Sequence, residues 1–145
     1  MKKLISILLV LCIAYACKND SEEIIPNVRF NAEINLDNPQ YMGKTPFFVM
    51  PGGVHRYVGV NGVVVWDNGG MDFYAFDLMC THKHEDGRMH FVEIKTDGNP
   101  ILKCPECGSE FLVAAEYGDI VKGPAKWPLK RYQTSITGNM LRIWN

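Results

Sequence analysis

Two short pairs of soft donors carry the chemistry open to this chain. The first is Cys80-Thr81-His82. After a gap of 21 residues comes the second, Cys104-Pro105-Glu106-Cys107-Gly108. Thiolate and imidazole ligands at such spacings, brought together by folding, supply the four donors that an iron–sulfur cluster or a zinc ion takes. The chain has five cysteines, and the other two, Cys12 and Cys17, lie at the extreme N-terminus. Every cysteine of the body therefore falls in the two pairs.

The N-terminus explains the remaining cysteines. Met1-Lys2-Lys3 is a short basic start, and Leu4 to Ala16 is an apolar run with Ser6 as its clearly polar residue. That length suits the apolar region of a signal peptide and is too short to span a bilayer. The run ends in Ala14-Tyr15-Ala16-Cys17. A small residue before a cysteine resembles a bacterial lipobox, which implies a signal peptide at residues 1–16 and Cys17 as the lipidated first residue of the mature protein; with Tyr15 before Ala16, cleavage by an ordinary signal peptidase is the other reading open here. Cys12 follows Leu11 and fits that role less well. Residues 17–27 include Lys18-Asn19-Asp20-Ser21-Glu22-Glu23, a polar stretch with little to bury, expected to be a flexible tether. The expected location is the cell envelope, on the periplasmic or surface side, held to the membrane by the lipid.

The body, residues 28–145, is the size of one domain. Removing Lys2 and Lys3 from the 15 basic residues, against 16 acidic ones, leaves a net charge of about −3. This argues against nucleic acid as a partner. An exported protein meets oxidising conditions, where thiols are paired or ligated. Three body cysteines cannot all pair within one monomer, whereas three thiolates and one imidazole complete a four-ligand set. A Cys104–Cys107 disulfide beside a free Cys80 is the other arrangement open at this point.

Short β-rich runs between turn signals must position these ligands. Val28 to Leu36 alternates and ends at Asp37-Asn38-Pro39. Val54 to Val60 and Val63 to Trp66 flank Asn61-Gly62, a hairpin signal. Phe73 to Leu78 leads into Cys80. Met89 to Lys95 reads as a strand. Ile101 to Lys103 leads into Cys104, and Glu110 to Ala114 follows Cys107. Arg131 to Ile136 and Met140 to Trp144 flank a last hairpin at Thr137-Gly138-Asn139. The expected fold is all-β, an antiparallel sandwich or barrel with a metal-binding hairpin insertion near residues 78–115. Trp66, Trp127 and Trp144 are expected in the core.

Residues 50–145 resemble the Rieske iron–sulfur family, which carries Cys-x-His, a variable gap, then Cys-x-x-His-Gly. Cys80-Thr81-His82 matches the first box. Cys104-Pro105-Glu106-Cys107-Gly108-Ser109 matches the second, with Cys107 where the family has its second histidine. Ser109-Glu110-Phe111, then Gly123-Pro124-Ala125, Pro128-Leu129 and Tyr132, continue the likeness. The resemblance implies a [2Fe–2S] cluster with Cys80 and Cys104 on the inner iron and His82 and Cys107 on the outer one, in a cluster-binding subdomain of about residues 78–125. Gly108, Ser109 and Pro124 would form the cluster's surroundings. The high-potential branch of the family has a disulfide between its cluster loops. Lys83, Glu85 and Glu106 stand in and near those positions, so that staple is absent. Phe111 stands where that branch has a hydrogen-bonding tyrosine.

Three thiolates leave an oxidised [2Fe–2S] core at −1, against zero for the family's two thiolates and two imidazoles. An electron is then harder to add. Rieske centres lie at about −150 to +300 mV and plant-type ferredoxins near about −400 mV. A centre with three cysteines is expected between them or at the low Rieske end.

Zinc is the rival cofactor, since three Cys and one His also make a closed structural zinc site. The basic start without a twin arginine suits export of an unfolded chain that acquires its metal afterwards. An empty or disulfide-bonded site is the third reading. His84, His90 and His55 read as ordinary loop or strand residues, with His84 a possible substitute ligand. No nucleotide loop, catalytic triad or paired-carboxylate signature is present, and no small-molecule substrate is evident. The expected role is a one-electron component of an oxidoreductase system, with a redox protein partner and no substrate of its own.

Overall fold

The computed structural model describes residues 24–52, 55–83, 88–94 and 100–145. Cys12, Cys17, the polar stretch 18–23 and His84, Glu85 and Asp86 lie outside the described residues. Every named element is a strand: β1 (Asn31–Asn35), β2 (Phe47–Val49), β3 (Val63–Asp67), β4 (Phe73–Asp77), β5 (Glu93–Ile94), β6 (Ile101–Lys103), β7 (Glu110–Leu112), β8 (Ile120–Lys122), β9 (Arg131–Thr137) and β10 (Met140–Trp144). They form a six-stranded sheet in the order β1-β10-β9-β4-β3-β2 and a four-stranded sheet in the order β5-β6-β7-β8. All pairings are antiparallel. The all-β expectation holds. Among the described residues no helix is long and apolar enough to cross a membrane.

Alternation along the strands builds two cores. In β1, Ala32 and Ile34 are buried while Asn31, Glu33 and Asn35 face water. β3 and β4 are covered on both faces. Val63, Val65, Phe73 and Ala75 enter one core with Ile34, Leu141, Ile143 and Tyr132. Val64 and Phe76, opposite each other in the ladder, enter the second core with Leu102, Phe111 and Leu129. Successive residues of a strand point to opposite faces. A strand buried on both sides therefore reads as a near-continuous apolar run. Cys80 and Cys104 belong to the second core, with Cys107 at its edge. These three thiols thus sit where the four-stranded sheet meets the large one.

Four expectations need correction. Val54 to Val60 is not a strand paired across Asn61-Gly62. Over the described part, the Gly62 N–H instead donates to the Val58 carbonyl at 2.8 Å, closing a tight turn. The Val60 N–H donates to the Asp77 carboxylate at 2.8 Å. β3 pairs instead with β2, a three-residue strand that the sequence pattern hides just after Pro46. Over its described part the run from Met89 holds β5 alone, with Phe91 bridging Met79. The three tryptophans are half-buried at the margins, not fully inside. At the N-terminal side Ile25 is fully buried, so the packed body reaches back past Val28.

Candidate metal centre

Each ligand pair follows a strand whose partner residues fix it. β4 runs into Leu78, whose carbonyl accepts the Val92 N–H at 2.8 Å, and the Cys80 N–H donates to the His90 carbonyl at 2.7 Å. The first loop is therefore zipped to the 90–92 segment on both sides of Met79. Asp77 anchors its base. One carboxylate oxygen accepts the Met79 N–H at 2.7 Å, and the other accepts the Tyr132 hydroxyl at 2.6 Å and the Val60 N–H. The carboxylate is fully buried. Burial raises its pKa, while the three donors pull it back down.

The second pair sits in a tight knuckle between β6 and β7. The Gly108 N–H donates to the Cys104 carbonyl at 2.9 Å and the Cys104 N–H to the Ser109 carbonyl at 2.8 Å. Gly108 has φ +72°, the left-handed conformation that closes such a turn at little cost for glycine.

Folding brings Cys80, Cys104 and Cys107 together, their sulfurs all within 4.8 Å of one another. Cys80 Sγ and Cys107 Sγ are 3.7 Å apart. All three are free thiols, so the Cys104–Cys107 disulfide is not formed. His82, half-buried in the same loop as Cys80, has its Nδ1 buried, but its imidazole is not part of the group of three.

Backbone amides converge on the sulfurs. Burial pushes the Cys80 thiol up, and the His82 N–H opposes it. Burial likewise raises Cys104, opposed by the N–H groups of Cys107 and Glu106. At Cys107 burial also raises the pKa, but the Ser109 hydroxyl and N–H and the neighbouring thiols outweigh it, and the net shift is downward. N–H groups aimed at sulfur stabilise thiolates, so the donor set suits a metal centre that neutralises the remaining charge. Two thiols with raised pKa release protons when they ligate.

Ser109 links the knuckle to the third loop. Its Oγ lies 3.1 Å from Cys107 Sγ and accepts the Ala125 N–H at 3.0 Å. A Cβ on Gly123 would stand 2.4 Å from Ser109 Cα, so the Gly123-Pro124-Ala125 loop lies tight against the knuckle. The Thr81 hydroxyl donates to the Trp127 carbonyl and ties that loop to the first one. Phe111 is fully buried in the second core. Sequence reasoning singled out the cysteines, Ser109, Gly108 and Pro124. It missed the Asp77–Tyr132 anchor, whose members stand 55 residues apart and carry no motif. It also missed the position of Trp127 at the surface beside His82.

These features define an all-β protein with a buried cysteine-rich centre at the junction of two antiparallel sheets. A scan of protein families matches residues 48–133 to the Rieske [2Fe–2S] domain, more than half of the chain. The chain belongs to this family, whose members bind iron–sulfur clusters and transfer electrons. A comparison with curated proteins gives no significant match.

Proposed function

We propose that the protein holds a [2Fe–2S] cluster on Cys80, Cys104, Cys107 and His82 and serves as an exported one-electron carrier. The observation that carries this reading is the convergence of three sulfurs within 4.8 Å in a chain of this family. When bound, such a cluster accepts and releases a single electron. The chain's own part is to fix the ligands and to set the charge around them. The buried Cys80 and Cys104 exclude water. The half-exposed Cys107 and His82 stand nearer the surface, where a partner approaches. Cys107 in place of a histidine adds a negative charge and favours a low potential.

Optical and electron paramagnetic resonance spectra test this directly. Brown protein that bleaches on reduction and gives a reduced-state cluster signal is expected. Colourless protein holding about one zinc per chain would instead make the site structural.

Export and anchoring through Cys17 belong to the same proposal and rest on the order of basic start, apolar run and small-residue site. Mass spectrometry of the mature N-terminus should find a lipid on Cys17. An unmodified residue 17 would contradict the anchor.

A further inference from the structure

Beside the cysteine centre the surface opens into a groove of about 370 Å³. Its lining combines the apolar Ile24, Pro124 and Trp127 with His82 and with two exposed lysines, Lys83 and Lys126. Among the described residues no carboxylate lines it. Lys83 and Lys126 thus stand together on one face of a chain whose net charge is −1.

The groove is built from tied loops. The Thr81 hydroxyl holds the Trp127 carbonyl across it. Lys126 follows Ala125, whose N–H is fixed on Ser109. Lys83 follows His82, whose own N–H bonds the Cys80 sulfur. Both lysines therefore stem from the frame that holds the ligands.

We propose that this groove is the docking face for an acidic one-electron partner protein. Lys83 and Lys126 would meet carboxylates around the partner's redox centre, and Trp127 would supply the apolar contact. This rests on the reading of the site as an electron-transfer centre. The exchange moves one electron between the two proteins and transfers no atom. A basic patch beside the exchanging centre speeds encounter with anions and slows it with cations, and salt erases both effects.

The test uses the full-length, iron-loaded protein and two small reagents of opposite charge. The reduced protein is oxidised by ferricyanide or by hexaammineruthenium(III) from about 10 mM to about 200 mM salt, over which the Debye length falls from ~30 Å to below ~10 Å. Ferricyanide should react faster than its driving force alone accounts for and slow several-fold as salt is added. The cationic reagent should speed up. Lys83→Glu with Lys126→Glu should reverse both trends. Rates that follow the net negative charge and ignore the lysines would overturn the proposal.

A second readout needs no metal. The Trp127 share of fluorescence, obtained by difference from Trp127→Phe, should show a several-fold higher ratio of iodide to caesium quenching than free tryptophan amide in the same salts. That excess should vanish in the double lysine variant. A ratio equal to that of the free amide would count against a basic groove.

The outcomes separate. Iron-loaded protein without charge preference overturns the docking face and leaves the electron-transfer reading standing. Iron-free protein overturns that reading, and the docking face falls with it. Neutralising Asp20, Glu22 and Glu23 should leave the ferricyanide rate unchanged. A several-fold gain would assign the groove to the chain's own acidic segment and overturn the protein partner.

Discussion

Ser109 Oγ stands 3.1 Å from Cys107 Sγ while accepting the Ala125 N–H at 3.0 Å. A hydroxyl has one hydrogen to give. With the amide on a lone pair, that hydrogen is left for the sulfur once Cys107 is a thiolate. A hydrogen bond to a thiolate strengthens as negative charge grows, so it favours the reduced centre. Ser109→Ala should therefore lower the midpoint potential by tens of millivolts, about 59 mV for each ~1.4 kcal/mol of differential stabilisation. Potentiometric titration of the variant checks this, and an unchanged potential would remove Ser109 from the tuning of the centre.

Gly123 and Gly108 both have positive φ, +104° and +72°, but their surroundings differ. A Cβ at Gly108 meets nothing within 4 Å, whereas one at Gly123 would lie 2.4 Å from Ser109 Cα and 2.8 Å from its N and Oγ. Gly108→Ala should cost about 1–2 kcal/mol of backbone strain. Gly123→Ala adds overpacking against backbone and should cost about 3 kcal/mol or more. Urea unfolding of both variants gives the comparison. Equal losses would mean that the third loop does not lie against the knuckle.

The Asp77–Tyr132 bond, 2.6 Å long, lies in a fully buried environment. Tyr132→Phe removes a donor to a buried carboxylate and should destabilise the fold by about 1.5–3 kcal/mol near neutral pH. The pH dependence has a definite sign. Burial raises the Asp77 pKa above its ordinary 3.8, so the folded state binds more protons than the unfolded one above that value. Stability contributed by Asp77 is therefore present at low pH and lost as pH rises through this window. Without the Tyr132 hydrogen bond, which lowers that pKa, the window widens and the loss grows. Unfolding midpoints at a series of pH values should show the variant closest to the parent under acid conditions. A gap that widens toward acid would contradict this.

Cys107→His rebuilds the family's second box. With the proposed cluster bound, it would exchange a thiolate for a neutral imidazole and take the oxidised core from −1 to zero. The potential should rise toward the Rieske range of about −150 to +300 mV, and one more proton-linked step should appear in its pH dependence. Voltammetry across pH reads both. A variant that keeps its cluster with neither change would mean that Cys107 does not ligate it.

The legible parts of this molecule were local. The last hairpin and the strands leading into Cys80 and Cys104 follow from alternation and turn chemistry within a few residues. The convergence of the three cysteines was legible through the ordered boxes. The 58–62 turn was not. Asn61-Gly62 is a good hairpin signal, but tertiary partners decided otherwise, because Asp77 captures the Val60 N–H and β3 takes β2 as its neighbour. The Asp77–Tyr132 pair was hidden for the same reason, since its members meet only after β4 pairs with β9. Trp127 reads as core by composition, yet the loop that carries it sits at the surface beside His82.

The most direct measurement is iron, zinc and acid-labile sulfide per chain, on protein exported by its native type of host. About two irons and two sulfides per chain are predicted, with Cys80, Cys104, Cys107 and His82 as ligands. About one zinc with neither iron nor sulfide would contradict the iron–sulfur reading and leave the family likeness as one of fold alone.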